Sequence, residues 1–537
     1  MEEDREVIRA APIVAPLAIL TSLVLLNYVI NGLPYIPDSW VHIAHSETLL
    51  RTGRLFGPSP NPSAVSYNYK WPTVNLLLAL SQSVLGLGPL HSFYVVDVLA
   101  SLSIIPFILL VRRLTGSNTA TLITGLLFAV LSVKLLVDSS VMKETAAQYP
   151  FYAYMLTTYM ALIDRKHFRQ NLLVMVLTFI AILFAHHFTL LMALAYSFIM
   201  AMTALVNDYL SGDDSWHGLY VLITIIALGL LTYYWYVDYL RAYTVTAFVT
   251  PGLISTPILI AILLIDYVTM RRGSRVLIYT VLAILALALI SMFSIGKFLP
   301  YVLEGFNRAV VLSSTPYVLP ILIAALYLAL YGFERPVIAI TTVTSLAILL
   351  YVLLMGNNPL ELLFLSKSLD FITPFLLIPT ALIITSAARR RLPIKAFAYI
   401  LTAALVISLP IFAVLTLYTY SLPTSSTLTV YRLIDYEEFK AINGLIPRNS
   451  TLYSSISYES MIMFMTGGIN ASDPTTYLLH GETPPGLLMI TERNLRVGFL
   501  YGSGYSMVSI PRDYLLSTLT SGDLVYSSKT LWLWAKP

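Results

Sequence analysis

From Ala11 to Tyr418 the chain is a near-continuous succession of apolar runs, each about 20 residues long, which is the length an α-helix needs to cross a bilayer core. The repeat leaves few folds open. A backbone in lipid must satisfy its own hydrogen bonds, and a long apolar run does so as a helix. The runs fall near 11–31, 91–111, 119–137, 146–163, 171–188, 189–207, 218–238, 252–270, 276–295, 316–332, 337–355, 372–388 and 396–418, about thirteen in all. Composition agrees, with 57% hydrophobic and 11% charged residues and a mean hydropathy of +0.78. The expected fold class is a membrane all-α bundle of about 13 transmembrane helices.

The net charge of +4 sits mostly in short loops and implies no nucleic-acid partner. Cysteine is absent, which excludes disulfides, thiolate metal sites and cysteine nucleophiles. Residues 1–10 carry four acids and two arginines, and the run behind them is too long for a signal-peptide core, so 11–31 reads as an uncleaved first span.

One further run, 72–87, is short, starts at Pro72 and is interrupted by Asn75, Ser81, Gln82 and Ser83. If it does not span, every arginine-rich short loop falls on the side of the amino terminus: Arg112-Arg113, Arg165 to Arg169, Arg271-Arg272 with Arg275, and Arg389 to Arg391 with Lys395. The expectation is a cell-membrane, multi-pass chain with a cytoplasmic N-terminus, 72–87 lying in the outer interface, and an extracytoplasmic C-terminal domain. The membrane domain is taken as 1–418, with a first outer loop at 32–90, and the soluble domain as 419–537. In the latter, LLMITER (487–493) and YSMVSI (505–510) suggest strands and YEEFKAINGLI (436–446) an amphipathic helix, giving a small α/β unit with sequons at Asn449 and Asn470.

Polar residues gather at the predicted outer surface. Asp38 follows the first span and opens a helix over about 39–53, in which Asp38, His42 and His45 share one face at i, i+4 and i+7. That face could hold a divalent cation, magnesium or manganese, between Asp38 and His42, or bind a hydroxyl. Alternatively Asp38 is the helix N-cap and the histidines are interfacial. Trp40, Ile43 and Leu50 turn toward lipid or protein. Asp138, Lys143, Glu144 and Gln148 cluster at the outer start of another span, where an ionisable group needs a partner or water. His186 and His187 join two spans and point about 100° apart, so they seldom ligate one metal; either is a candidate sugar or phosphate ligand. Glu304 and Arg308, four residues apart, can pair on one helical turn. A phosphate leaving group needs a fixed cation such as Arg308, Lys297, Arg241 or Lys367.

An acidic residue early in the first outer loop, Asp38, followed by interfacial helices at 39–53 and 72–87, resembles the GT-C superfamily of membrane glycosyltransferases. That superfamily includes oligosaccharyltransferase catalytic subunits, protein O-mannosyltransferases and aminoarabinose transferases. The passage YNYKWPTVNLLLALSQSVLGLGPLHSF, then a span ending VRRLTG, is similar to the last two groups. The span number and outer C-terminal domain are more similar to the first, with archaeal members nearest in arrangement. The chain departs from the pattern in three places: it has no WWDYG motif, no paired acids beside Asp38, and no TIxE-like context at Glu304. The resemblance implies transfer of a sugar, with inversion, from a polyprenyl-phosphate-linked donor to a lipid, protein or glycan acceptor at the outer face. Membrane lipids are the surrounding partners, and Asp38 serves as the catalytic acid or base. His42, His45, Glu144, His186, His187, Glu304 and Arg308 would bind substrate. The rival readings are a transporter or lipid flippase, with the outer polar groups as a gate, and a noncatalytic scaffold with an outer binding domain.

Overall fold

The computed structural model describes residues 2–31, 38–55, 71–211, 216–235, 317–331, 334–355, 359–387, 403–414, 433–447 and most of 450–536. Its membrane part begins with helix α1 (Glu2–Asn31), α2 (Asp38–Thr52), α3 (Pro72–Leu85), α4 (Pro89–Ser101), α5 (Ile104–Thr115), α6 (Asn118–Ala129) and α7 (Ser132–Asp138). There follow α8 (Lys143–Ile163), α9 (Phe168–Ala185), α10 (His187–Ser211), α11 (His217–Tyr234), α12 (Val318–Tyr331), α13 (Pro336–Met355), α14 (Pro359–Ala387) and α15 (Ala403–Val414). Among the described residues five helices are long and apolar enough to cross a membrane, and six shorter apolar helices lie beside them. The chain is a polytopic membrane-embedded bundle. The runs at 252–270 and 276–295 lie outside the described residues.

One expected element takes a different form. The run at 119–137 is broken into α6 and α7, because Leu131 leaves the helical region for an extended conformation. The break turns α7 onto α14, so that Lys134 and Asp138 meet each other inside protein, away from lipid. The run at 72–87 is the short helix α3, which packs against α2 and α4.

Close helix approach is set by a small residue at one crossing. A Cβ added at Gly125 of α6 would sit 2.9 Å from both Ile108 Cδ1 and Pro16 Cγ, so α1, α5 and α6 meet where only glycine leaves room.

The C-terminal part carries α16 (Leu433–Asn443), β1 (Thr451–Tyr453), β2 (Asn470–Ser472), α17 (Thr475–Leu479), β3 (Leu487–Thr491) and α18 (Glu492–Val497). After these come β4 (Phe499–Tyr501), β5 (Ser506–Val508), α19 (Arg512–Thr520), β6 (Asp523–Ser527) and β7 (Leu531–Ala535). Five strands form a mixed sheet in the order β2-β1-β3-β7-β6, in which β1 pairs in parallel with β2 and β3, while β7 is antiparallel to β3 and β6. β4 and β5 make a separate antiparallel pair.

Strand β3 is buried at every position because both its faces are covered. Leu487 and Met489 point into a cluster with Trp40, Ile43, Val74, Phe93, Phe439 and Ile442. Leu488 and Ile490 point the other way, into a cluster with Leu478 and Leu515. The first of these clusters is shared between the sheet and helices α2, α3 and α4. At its centre the fully buried Trp40 stacks on Tyr436 at 5.7 Å, with Phe464 at 5.5 Å and Phe93 edge-on at 6.1 Å. Trp40 and Ile43 therefore face protein, whereas Leu50 is exposed.

Replacing Gly125 with Leu forces α1 and α5 away from α6 and is expected to cost about 1–3 kcal/mol by overpacking. A lowered melting temperature of the detergent-solubilised protein, with Gly125→Ala intermediate, is the readout.

Candidate functional site

Helix α2 lies where the membrane bundle meets the C-terminal sheet, and its polar side is matched to α3. His42 Nδ1 meets Asn75 Oδ1 at 2.7 Å, and Gln82 Nε2 donates to Ser46 Oγ at 3.0 Å. Asn75 and Gln82 stand seven residues apart, hence on one face of α3. The polar interruptions that made 72–87 a poor span are thus contacts to α2. His42 and His45 are both buried. Asp38 begins the first turn of α2, and its side chain lies outside the described residues.

The next residue, Ser39, ties this turn to the bundle by donating its hydroxyl to Ser140 O at 2.5 Å. Ser140 belongs to the short link between α7 and α8, and the backbone there is strained. Val141 has φ 38°, the one positive φ at a non-glycine among the described residues, and a β-branched side chain disfavours that region strongly. Neighbouring bonds hold the link: Met142 N donates to Thr145 Oγ1 at 3.0 Å, and Thr145 Oγ1 donates to Val137 O at 2.6 Å. The Val141 N–H is directed at the carboxylate of Asp97, which also accepts the hydroxyl of Tyr28.

Around this link the bundle interior is polar. Lys134 Nζ reaches both oxygens of Asp138 at 2.6 Å. Glu144 Oε1 and His186 Nε2 are 3.2 Å apart. The backbone N–H of Thr189 donates to His186 Nδ1 at 3.3 Å, so Nδ1 is the acceptor and the ring proton belongs on Nε2, toward Glu144. Gln148 donates to Asp370 of α14, and Asp370 lies in the field of Lys134, Asp138 and Glu144. Every one of these side chains is at least 98% removed from solvent. Asp97 Oδ1, Asp370 Oδ1 and Gln148 Oε1 have no hydrogen-bond partner among the described residues.

Four carboxyl groups, of Asp97, Asp138, Glu144 and Asp370, thus share this interior with the ammonium groups of Lys134 and the buried Lys143 and the imidazole of His186. Such an interior can hold and pass protons or attract a cation, and it offers little positive charge to a phosphate. Among the described residues no group of three or more His, Asp or Glu side chains stands at metal-binding distance. Asn75 occupies the Nδ1 side of His42, so ligation by that ring would use Nε2.

Of the residues expected from sequence, the structure brings Glu144 and His186 together and joins α2 to their neighbourhood through Ser39. His187 turns elsewhere, its ring 5.1 Å from that of Trp71 and at 65° to that of His186. Glu304 and Arg308 lie outside the described residues, as do Lys297 and Arg241. Tyr28, Asn75 and Asp370 were not singled out from sequence. A signal existed for Asp370, a lone acid just ahead of the apolar run 372–388; Tyr28 had none, because tyrosines are common throughout the chain.

No family model matches the chain, and no curated protein matches it in sequence. Among solved structures, the archaeal oligosaccharyltransferase AglB from Archaeoglobus fulgidus, determined with an inhibitory peptide and a dolichol-phosphate, aligns over 97% of this chain and 74% of its own, with TM-score 0.51 and 13% identity. The chain shares its overall fold with AglB. ArnT from Cupriavidus metallidurans aligns over 97% of both chains, with TM-score 0.45 and 11% identity in the apo state and 0.41 and 12% when bound to undecaprenyl phosphate.

Removing one partner of a buried ion pair strands the other. Lys134→Met is expected to destabilise the protein by about 3–5 kcal/mol, and Lys134→Met with Asp138→Leu to recover much of that. Thermal unfolding of the four proteins of the double-mutant cycle measures the coupling.

Proposed function

We propose that the chain is a glycosyltransferase that moves a sugar from a polyprenyl-phosphate-linked donor to a lipid, protein or glycan acceptor at the outer membrane face. The observation that carries this reading is the junction at Ser39. It ties the turn bearing Asp38 to the strained Val141 link, beside the buried Asp97 and the Glu144–His186 pair. Strained backbone held by several bonds is characteristic of sites that need a fixed geometry. The fold shared with AglB, and the dolichol-phosphate bound by AglB, support the donor class.

In this mechanism the acceptor oxygen attacks the anomeric carbon from the face opposite the phosphate. The new carbon–oxygen bond forms as the bond to phosphate breaks, and the polyprenyl phosphate leaves with the electron pair. The acceptor proton passes to the Asp38 carboxylate, and the anomeric configuration inverts. General-base help of this kind contributes about 10²–10⁴-fold. Glu144, through His186, keeps a second proton carrier near the same junction. His42 and His45 flank the acceptor side of α2. His187, Glu304 and Arg308 complete the substrate-binding set, with Arg308 as the cation for the phosphate. Asp38 and His42 would hold a magnesium or manganese ion, which would supply positive charge for the leaving phosphate.

A transporter reading draws on the broken pair α6–α7 and its buried Lys134–Asp138, since discontinuous helices and internal ion pairs mark transport paths. The two readings separate in one assay. Purified protein in liposomes is supplied with radiolabelled polyprenyl-phosphate sugars and candidate acceptors. Wild type is expected to form labelled product, and folded Asp38→Asn to lose about 10²-fold or more of that rate. Equal rates would remove Asp38 from the chemistry, and sugar crossing the membrane with no transfer would favour transport.

A further inference from the structure

At the opposite end of α8 from Glu144, about 30 Å away along a 21-residue helix, the turn into α9 forms a second polar site. Arg165, Lys166, Arg169 and Gln170 line an open cavity of ≈ 360 Å³ together with His217, the first residue of α11. Basic turns are usual between membrane helices. This one is concave, and its groups are not all used locally. The one acid of the turn, Asp164, is occupied by His167, accepting from its backbone N–H at 3.2 Å and meeting its ring at 3.0 Å. That partner holds the Asp164 carboxyl below its ordinary value, so the acid remains ionised and engaged locally. Lys166 and Arg169 have no ion-pair or hydrogen-bond partner among the described residues.

Two further features border the same space. Helix α9 starts without a side-chain cap, so the N–H groups of its first turn and its dipole face the cavity edge. His217 Nδ1 is buried and has no hydrogen-bond partner among the described residues. Its ring is held perpendicular to Phe168 at 4.6 Å, which fixes where the nitrogen lies. Two cations, a helix N-terminus and a fixed imidazole form an anion cradle assembled from two parts of the chain. The volume is within the small-molecule range of about 300–1,000 Å³ and large for a bare phosphate ion.

We propose that this pocket binds a phosphate-bearing headgroup. The source is either an anionic membrane lipid or a soluble phosphate ester, and the chemistry recognised is the same. The site is separate from the junction at Ser39 and does not depend on the proposed transfer reaction.

The test uses the full-length protein in phosphatidylcholine nanodiscs with and without phosphatidylglycerol, with retained lipid read by native mass spectrometry. Phosphatidylglycerol is expected to be retained by wild type. Retention should fall about fivefold for each charge removed in Lys166→Gln and Arg169→Gln and should drop also in His217→Phe, which keeps the ring contact and loses the nitrogen. Arg112→Gln with Arg113→Gln, at the end of α5 and outside the cavity, is the control and should retain lipid as wild type does. Melting temperatures verify folding, which these exposed Lys166 and Arg169 changes leave intact. Glycerol 3-phosphate that displaces the lipid assigns the pocket to soluble esters, while lipid that persists assigns it to the membrane. Equal retention in the Lys166 and Arg169 variants, or equal loss in the Arg112–Arg113 control, overturns the proposal.

Discussion

A charge inside an apolar bundle must be met by an opposite charge or a hydrogen bond, and much of this chain follows from meeting that demand repeatedly at one end. Lys134 is answered by Asp138, Glu144 by His186, Asp97 by Tyr28, and Asp370 by Gln148. The partners come from α1, α4, α7, α8, α10 and α14 or the residues beside them, so the pairs also fix how those helices stand. The break between α6 and α7 belongs to the same logic, since it turns Lys134 and Asp138 onto α14 and away from lipid. So does the strained Val141, held in an unfavourable backbone region by bonds to Ser140 and Asp97 that a relaxed link would not make.

The helices were legible because their cause is local. Twenty apolar residues need a helix wherever they lie, and the boundaries at α8, α9, α10 and α13 fall within a few residues of the runs read from the sequence. α2, α16, β3 and β5 were legible for the same reason, each from its own hydrophobic pattern. The break at Leu131 was not, because it falls between Val130 and Ser132 in a run whose one charge is Lys134, with no glycine or proline there to mark it. For β3 the pattern held a further clue. Its unalternating LLMIT run signals a strand covered on both faces, and Trp40 with its neighbours supplies one of the covers.

The candidate site was legible residue by residue more than as a site. Glu144 and His186 stood out as polar groups at span ends, and they do pair. Asn75 and Gln82 were read as defects in a span and are instead contacts to α2. Asp97 and Asp370 are buried among helices far apart in sequence, and no local pattern places two such acids near one lysine. The two histidines of the α9–α10 joint looked equivalent in sequence. One turn of geometry gives them different neighbours, Glu144 for His186 and Trp71 for His187.

The shared core of α2 and the C-terminal sheet also orders events during synthesis. Trp40 emerges early, yet its stacking partner Tyr436 and its neighbour Phe464 follow roughly four hundred residues later, at translation rates of about 5–20 residues per second a wait of roughly 20–80 s. Until then the apolar side of α2 can rest only on α3, α4 and the membrane surface. The turn that carries Asp38 therefore reaches its final seat after the membrane helices are in place, and the junction between bundle and sheet is completed last.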